Sequence, residues 1–97
     1  MESYKYLVEF TGVIIILYAK LLSDASPVVM GITYFAVYFI AQHITTGFFN
    51  PISAIALYIL GRVPLRETMY NLIVQLLGVL AAILTFSPIK TFMHDLE

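Results

Sequence analysis

The chain has 97 residues, of which 61% are hydrophobic, five are Lys or Arg, six are Asp or Glu and none is Cys. So few charged side chains cannot cover the surface of a soluble domain of this size, and the composition is typical of a small, single-domain membrane protein. The formal net charge of −1 excludes a basic nucleic-acid binder. The absence of cysteine excludes disulfide scaffolds, thiolate metal sites and thiol catalysis.

The first predicted element covers residues 3–22, which is long enough for a helix of about 30 Å that crosses a bilayer. A secretory signal is the alternative, because Lys5 precedes the apolar run and small residues follow Leu22. The run is longer than the apolar core of a signal and contains Glu9 and Lys20, which favours a membrane-spanning helix.

The second predicted element covers residues 27–44 and contains no charged residue. It follows a polar turn and starts at Pro27, a residue suited to the first turn of a helix. Gly31 is one of its small positions, where a neighbouring helix is expected to approach closely. We therefore predict a second membrane-spanning helix here.

A shorter apolar segment, residues 51–60, predicts a helix of only about 15 Å, half the thickness of the hydrocarbon core. Asn50 is expected to cap this helix and Pro51 to occupy its first position. The preceding residues mix polar groups with a glycine, so we predict a re-entrant loop and half-helix over about residues 45–60. A helix lying flat at the membrane interface is the alternative, although the segment has no charged face.

The fourth predicted element covers residues 67–86 and is expected to stop at the Ser-Pro pair at 87–88. Gly78 and Ala82 form a small-residue face for helix packing, and Asn71 and Gln75 place two amides on one stripe. The predicted fold class is an all-α membrane protein with three transmembrane helices and one re-entrant half-helix.

Several short groups of residues, in order along the chain, resemble the aquaporin (major intrinsic protein) family. Residues 46–54, centred on Asn50-Pro51, resemble the Asn-Pro-Ala loop of the family, and residues 43–45 stand where it commonly has His-Ile-Ser. Residues 9–12 resemble the Glu-Phe-x-Gly of its first helix, and residues 75–78 resemble the Gln-x-x-Gly of its third helix. These groups cover the first half of an aquaporin, which has two such halves in inverted orientation, so the resemblance implies a half-size protein.

The resemblance implies that Asn50 and Pro51 begin a half-helix whose free N–H groups face a pore, with Gly47 in the loop before it. The positive end of the helix dipole would repel cations there, and the Asn50 amide would donate to a passing water. By the same resemblance, Glu9 braces the loop by accepting backbone N–H bonds, and Gln75 assists it. The alternatives are a Glu9 that faces headgroups and a Gln75 that pairs with another helix.

The chain also departs from the family pattern. Ile52 stands where the family usually has Ala, and its bulk is expected to crowd the tip of the half-helix. Ser53 occupies the slot equivalent to the filter arginine of the missing second half, and Met30 falls at the filter aromatic of the second helix. His43 either lies beside the loop and orders it or is an ordinary interfacial residue, and Gly12 is expected to serve helix packing.

Two functions stay open. The first is a half-channel for water or small neutral solutes, and the second is a non-conducting accessory subunit of a larger membrane assembly. One copy cannot enclose a pore, so a second copy or another membrane subunit is expected to cover the face bearing Asn50, Glu9 and Gln75 within the lipid bilayer. An enzyme is not expected, because the chain offers no spaced catalytic or metal-ligand set, and no cofactor is expected.

Overall fold

The computed structural model describes residues 3–97, which form four helices and no strand. The helices are α1 (Tyr4–Leu22), α2 (Pro27–Ala41), α3 (Pro51–Ile59) and α4 (Leu65–Asp95). The prediction of an all-α protein is therefore confirmed for the described residues. By length and composition, α4 is long and apolar enough to cross a membrane. The other two expected spans are not shown: α2 has 15 residues, and α1 carries three charged side chains.

Helices α1 and α4 lie side by side and run in the same direction. At their first turns, the Lys5 ammonium is 2.9 Å from Glu67 Oε1. Near their far ends, the hydroxyl of Tyr18 is hydrogen-bonded to that of Thr85. Between these points Gly78 faces α1 so closely that a Cβ there would lie 3.0 Å from an α1 carbonyl oxygen. The small residue thus lets the two backbones pack directly against each other.

One stripe of α4 makes this contact, and its character changes along the helix. Its members are three or four residues apart, the spacing of a single helix face. The first members are polar and the later ones are small. In chain order they are Glu67, Asn71, Gln75, Gly78 and Ala82.

Helix α2 packs against α1, and its contact surface forms the apolar core together with a loop residue. The buried members of this core are Val13, Ile16, Ala41 and Phe49. The opposite face of α2 is exposed. Gly31 is also exposed, and a Cβ there would meet nothing within 4 Å. The close helix contact expected at Gly31 is therefore not made within the described chain.

Two helix ends differ from those predicted. Helix α2 ends at Ala41 rather than at residue 44, because the Ala41 carbonyl accepts the N–H groups of both Ile44 and Thr45 and closes the last turn. Helix α4 continues to Asp95 instead of stopping at residues 87–88. Pro88 removes one N–H donor without ending the helix, and residues 87–97 are exposed.

Candidate functional site

The segment between α2 and α3 passes along the seam between α1 and α4. The hydroxyl of Thr46 is 2.5 Å from a carboxylate oxygen of Glu67, in the first turn of α4. Three residues later, the ring of Phe49 lies against Gly12, near the middle of α1, where a Cβ would overlap it. The segment therefore runs from one end of the helix pair to about half its length, and α3 leads back to the start of α4.

Glu9 is the centre of the contacts that hold this segment. Its side chain is fully buried, with 0% of its surface exposed. One carboxylate oxygen accepts from the Thr45 hydroxyl, and the other accepts from the Phe49 N–H and, at 3.3 Å, from Gln75 Nε2. Three donors offset the loss of hydration of a buried carboxylate, and hydrogen bonds to an ionised group are the strong ones. A single side chain of α1 thus fixes the loop at two points.

Gly47 lies directly against this cluster. A Cβ at Gly47 would be 2.9 Å from both Glu9 Oε1 and Gln75 Nε2, and 3.0 Å from Cγ of Asn71. The backbone can approach the polar side chains this closely only because residue 47 has no side chain of its own. The absence of a side chain at Gly47 is therefore what allows the loop to pack against Glu9 and Gln75.

Two consecutive phenylalanines complete the loop in a conformation that L residues rarely adopt. Phe48 has φ of 53° and Phe49 has φ of 61°. Each left-handed residue of this kind costs about 1–2 kcal/mol. The hydroxyl of Tyr38 donates to the Phe48 carbonyl at 2.9 Å, and the Tyr38 ring contacts both phenylalanine rings. The surrounding side chains, rather than the intrinsic preference of the loop, hold this geometry.

Asn50 starts α3. Its side-chain oxygen accepts the Ile52 N–H at 2.8 Å, and Pro51 occupies the first helical position. The Asn50 amide nitrogen has no hydrogen-bond acceptor within residues 3–97. Ile52 is 76% exposed beside it, and Ser53 is half-buried. Asn50 therefore keeps an amide donor that residues 3–97 do not use, at the positive end of a short helix.

The other residues singled out from the sequence lie in different surroundings. Met30 is partly buried against the core that contains Phe49. His43 is exposed and makes no hydrogen bond within the described part of the chain. Gln75 is 3% exposed, and like Glu9 it is covered by the loop. The expectation that Glu9 and Gln75 stand on an exposed face with Asn50 is therefore wrong.

Sequence reasoning missed several residues that hold the loop. The signal for two of them is present, since adjacent hydroxyls in an apolar chain, Thr45 and Thr46, have no role in a simple lipid-facing turn. Glu67 extends the Asn71 and Gln75 stripe by one helical turn and could have been found in the same way. Tyr38 gives no such signal, because its place depends on how α2 packs.

The described residues thus form an all-helical protein in which a parallel helix pair encloses a polar brace, and α4 is long and apolar enough to cross a membrane. The chain matches the family model described as Major intrinsic protein over residues 5–95, and it belongs to that family. Members of the family are integral membrane channels, not enzymes. A search of curated proteins and a search of solved structures each gave no match.

Proposed function

We propose that the chain forms half of an aquaporin-type channel, which passes water or small neutral solutes when a second half closes the pore. Helices α1, α2 and α4 cross the bilayer in this proposal, and α3 with its preceding loop re-enters it. The observation that carries the proposal is the geometry of Asn50, whose oxygen is used in the helix cap while its amide N–H groups stay available. The match to the channel family supports it.

The chemistry of this arrangement favours neutral solutes with an oxygen acceptor. A water or hydroxyl that reaches Asn50 receives a hydrogen bond from the amide, and its own protons then point away from the α3 tip. The uncapped N–H groups and the dipole of α3 give the tip a positive potential, which opposes the passage of cations. The site thus donates hydrogen bonds to the oxygen of a solute and repels positive charge.

The buried brace makes a membrane crossing by α1 feasible. A carboxylate in the hydrocarbon core is expensive unless it is paired inside the protein, and Glu9 has three donors from its own chain. Cysteine accessibility tests the topology, because the chain has no native Cys. We expect single cysteines at the exposed positions 43 and 62 to be labelled from the same side of the membrane. Labelling from opposite sides would end the re-entrant arrangement.

The second half can come from an inverted copy of this chain or from another membrane subunit. The sequence contains one Asn-Pro pair, whereas a pore of this type is built from two half-helices that meet. Three of the five Lys and Arg residues lie on one side in the proposed topology (Lys5, Arg62, Arg66) and two on the other (Lys20, Lys90). This bias is weak, so insertion in both orientations is permitted.

Osmotic-shock light scattering on proteoliposomes tests conduction. Wild-type protein should shorten the shrinkage time relative to empty vesicles, and Ile52→Ala should shorten it further by removing bulk at the tip. Asn50→Asp replaces a donor with an anionic group and should weaken the barrier to cations. Gln42→Glu is the matched control, because it changes an exposed amide whose only hydrogen bond within residues 3–97 is to the Phe39 carbonyl.

The accessory-subunit function is the alternative, and the exposure of Ile52 favours it. A branched side chain that is 76% exposed beside the α3 start occupies the place where a second half-helix tip would meet it. If wild type and Ile52→Ala are both as slow as empty vesicles while folded and paired, the channel proposal fails. Purification with an unrelated subunit in fixed ratio would then establish the alternative.

A further inference from the structure

A second set of polar contacts, separate from Glu9, holds the loop at Thr46. The Thr46 hydroxyl donates to Glu67 Oε2 at 2.5 Å and accepts from Asn71 Nδ2 at 3.0 Å. The other oxygen of Glu67, Oε1, lies 2.9 Å from the Lys5 ammonium. The hydroxyl thus uses both its donor and its acceptor capacity, and its partners are on α4.

These groups are largely shielded from solvent, although they lie at one end of the α1–α4 pair. Asn71 is 1% exposed, and the side chains of Lys5 and Glu67 are each 16% exposed. Shielding strengthens their hydrogen bonds and makes an unpaired member costly. The contact set is therefore more than a solvated surface ion pair.

The two adjacent hydroxyls of the loop go to two different carboxylates on two different helices. Thr45 donates to Glu9 of α1, and Thr46 donates to Glu67 of α4. Gly47 follows, with no room for a side chain. The backbone of residues 45–47 is consequently held from both sides of the α1–α4 seam.

We propose that Glu67 is a positioning residue for this loop. It fixes Thr46, while Lys5 keeps the Glu67 carboxylate in place, so the carbonyl groups that lead towards Asn50 keep one orientation. Helix α4 does not need this contact for its own packing on α1, because Gly78 and Ala82 already bring the two helices together. The proposal rests on the channel function only for its effect on flux.

Hydrogen exchange of the protein in lipid nanodiscs tests the assignment. Thr46→Val removes the hydroxyl with little change of shape, and Glu67→Gln removes the charge that accepts it. Each should speed the exchange of loop amides in residues 44–50 by about tenfold, the effect of losing one charge-assisted hydrogen bond. Thr46→Ser should restore wild-type exchange. The matched control is Thr33→Val, because within residues 3–97 the Thr33 hydroxyl bonds only the Val29 carbonyl of its own helix.

The double variant separates positioning from general destabilisation. If Glu67 acts through Thr46, Thr46→Val with Glu67→Gln should speed loop exchange no more than the larger single variant. Amides in the middle of α4 should exchange at wild-type rates throughout. An additive double variant, an equal rise in α4, or a rise below about twofold in Glu67→Gln would each overturn the proposal. Glu67→Gln alone decides the matter if Thr46→Val cannot be purified.

Flux measurements distinguish this proposal from the channel function. In a conducting protein, Thr46→Val should lower water flux and Thr46→Ser should not. A wild type without flux whose loop is still released by Glu67→Gln would contradict the channel function and leave Glu67 as the positioning residue. A conducting wild type in which neither Thr46→Val nor Glu67→Gln speeds loop exchange would support the channel function and overturn the role of Glu67.

Discussion

The two halves of the α1–α4 seam use opposite chemistry on one pair of helices. From Lys5 and Glu67 to Glu9 and Gln75, the seam is polar and contains a non-helical segment of chain. Beyond Gly78 the seam is closed: the residues are mostly small and apolar, helix packs on helix, and one pair of hydroxyls, Tyr18 and Thr85, is hydrogen-bonded near the far end.

This difference shows why the polar groups are where they are. Backbone without secondary structure leaves N–H and C=O groups that lipid cannot satisfy, so it requires donors and acceptors from its neighbours. The loop therefore lies beside the carboxylates and amides. The closed half needs no such donors and acceptors, because the backbone hydrogen bonds of a helix are made within the helix.

Removing the Glu9 carboxylate should destabilise the polar half of the seam more than any other change proposed here. Glu9→Leu leaves the Phe49 N–H, the Thr45 hydroxyl and the Gln75 amide unpaired inside the bundle, which should cost about 3–5 kcal/mol of unfolding free energy. Thermal and denaturant unfolding in detergent micelles measure it. Glu9→Gln is the control, because it keeps the shape and one acceptor and should lose less than half as much. Equal losses in the two variants would show that the acceptor kept by Gln contributes nothing and that the loss of the carboxylate charge alone sets the cost.

A methyl group at Gly47 should have the next largest effect. Gly47→Ala pushes a Cβ into Glu9 and Gln75 and should cost about 1–3 kcal/mol, the usual range for overpacking. Gly31→Ala is the matched control, because a Cβ there meets nothing and an exposed helical position gains up to about 1 kcal/mol in helix propensity. The pair should therefore shift the melting temperature in opposite directions. A shift of the same sign would contradict the close approach at Gly47.

The smallest effect is expected in the closed half. Tyr18→Phe removes one hydroxyl that bonds Thr85 near the exposed end of the seam, which should cost about 0.5–1 kcal/mol. Tyr4→Phe serves as the control, since Tyr4 is more than half exposed. Loop exchange should remain at the wild-type rate in both variants. Faster loop exchange in Tyr18→Phe would show that the two halves are coupled.

The sequence predicts the parts of the fold that depend on local chemistry. The start of α3 at Pro51 follows from a capping Asn and a Pro, which act within four residues. The predicted end of α4 at residues 87–88 was wrong, because a proline removes one backbone hydrogen bond but does not by itself end a helix. The left-handed Phe48 and Phe49 could not be predicted, since contacts from α1 and α2 impose them.

The loop that carries the two left-handed phenylalanines also sets an order of assembly. Its supports come from both sides in the sequence, because Glu9 and Tyr38 are synthesised before it and the Glu67 to Gln75 stripe after it. Until α4 is in place, Thr46 lacks both its partners and Glu9 lacks the Gln75 donor, so the strained loop is only partly held. We therefore expect residues 43–59 to enter the helix bundle last. A nascent chain halted before residue 65 should leave a cysteine at position 49 open to a water-soluble label, and a chain extended through α4 should protect it.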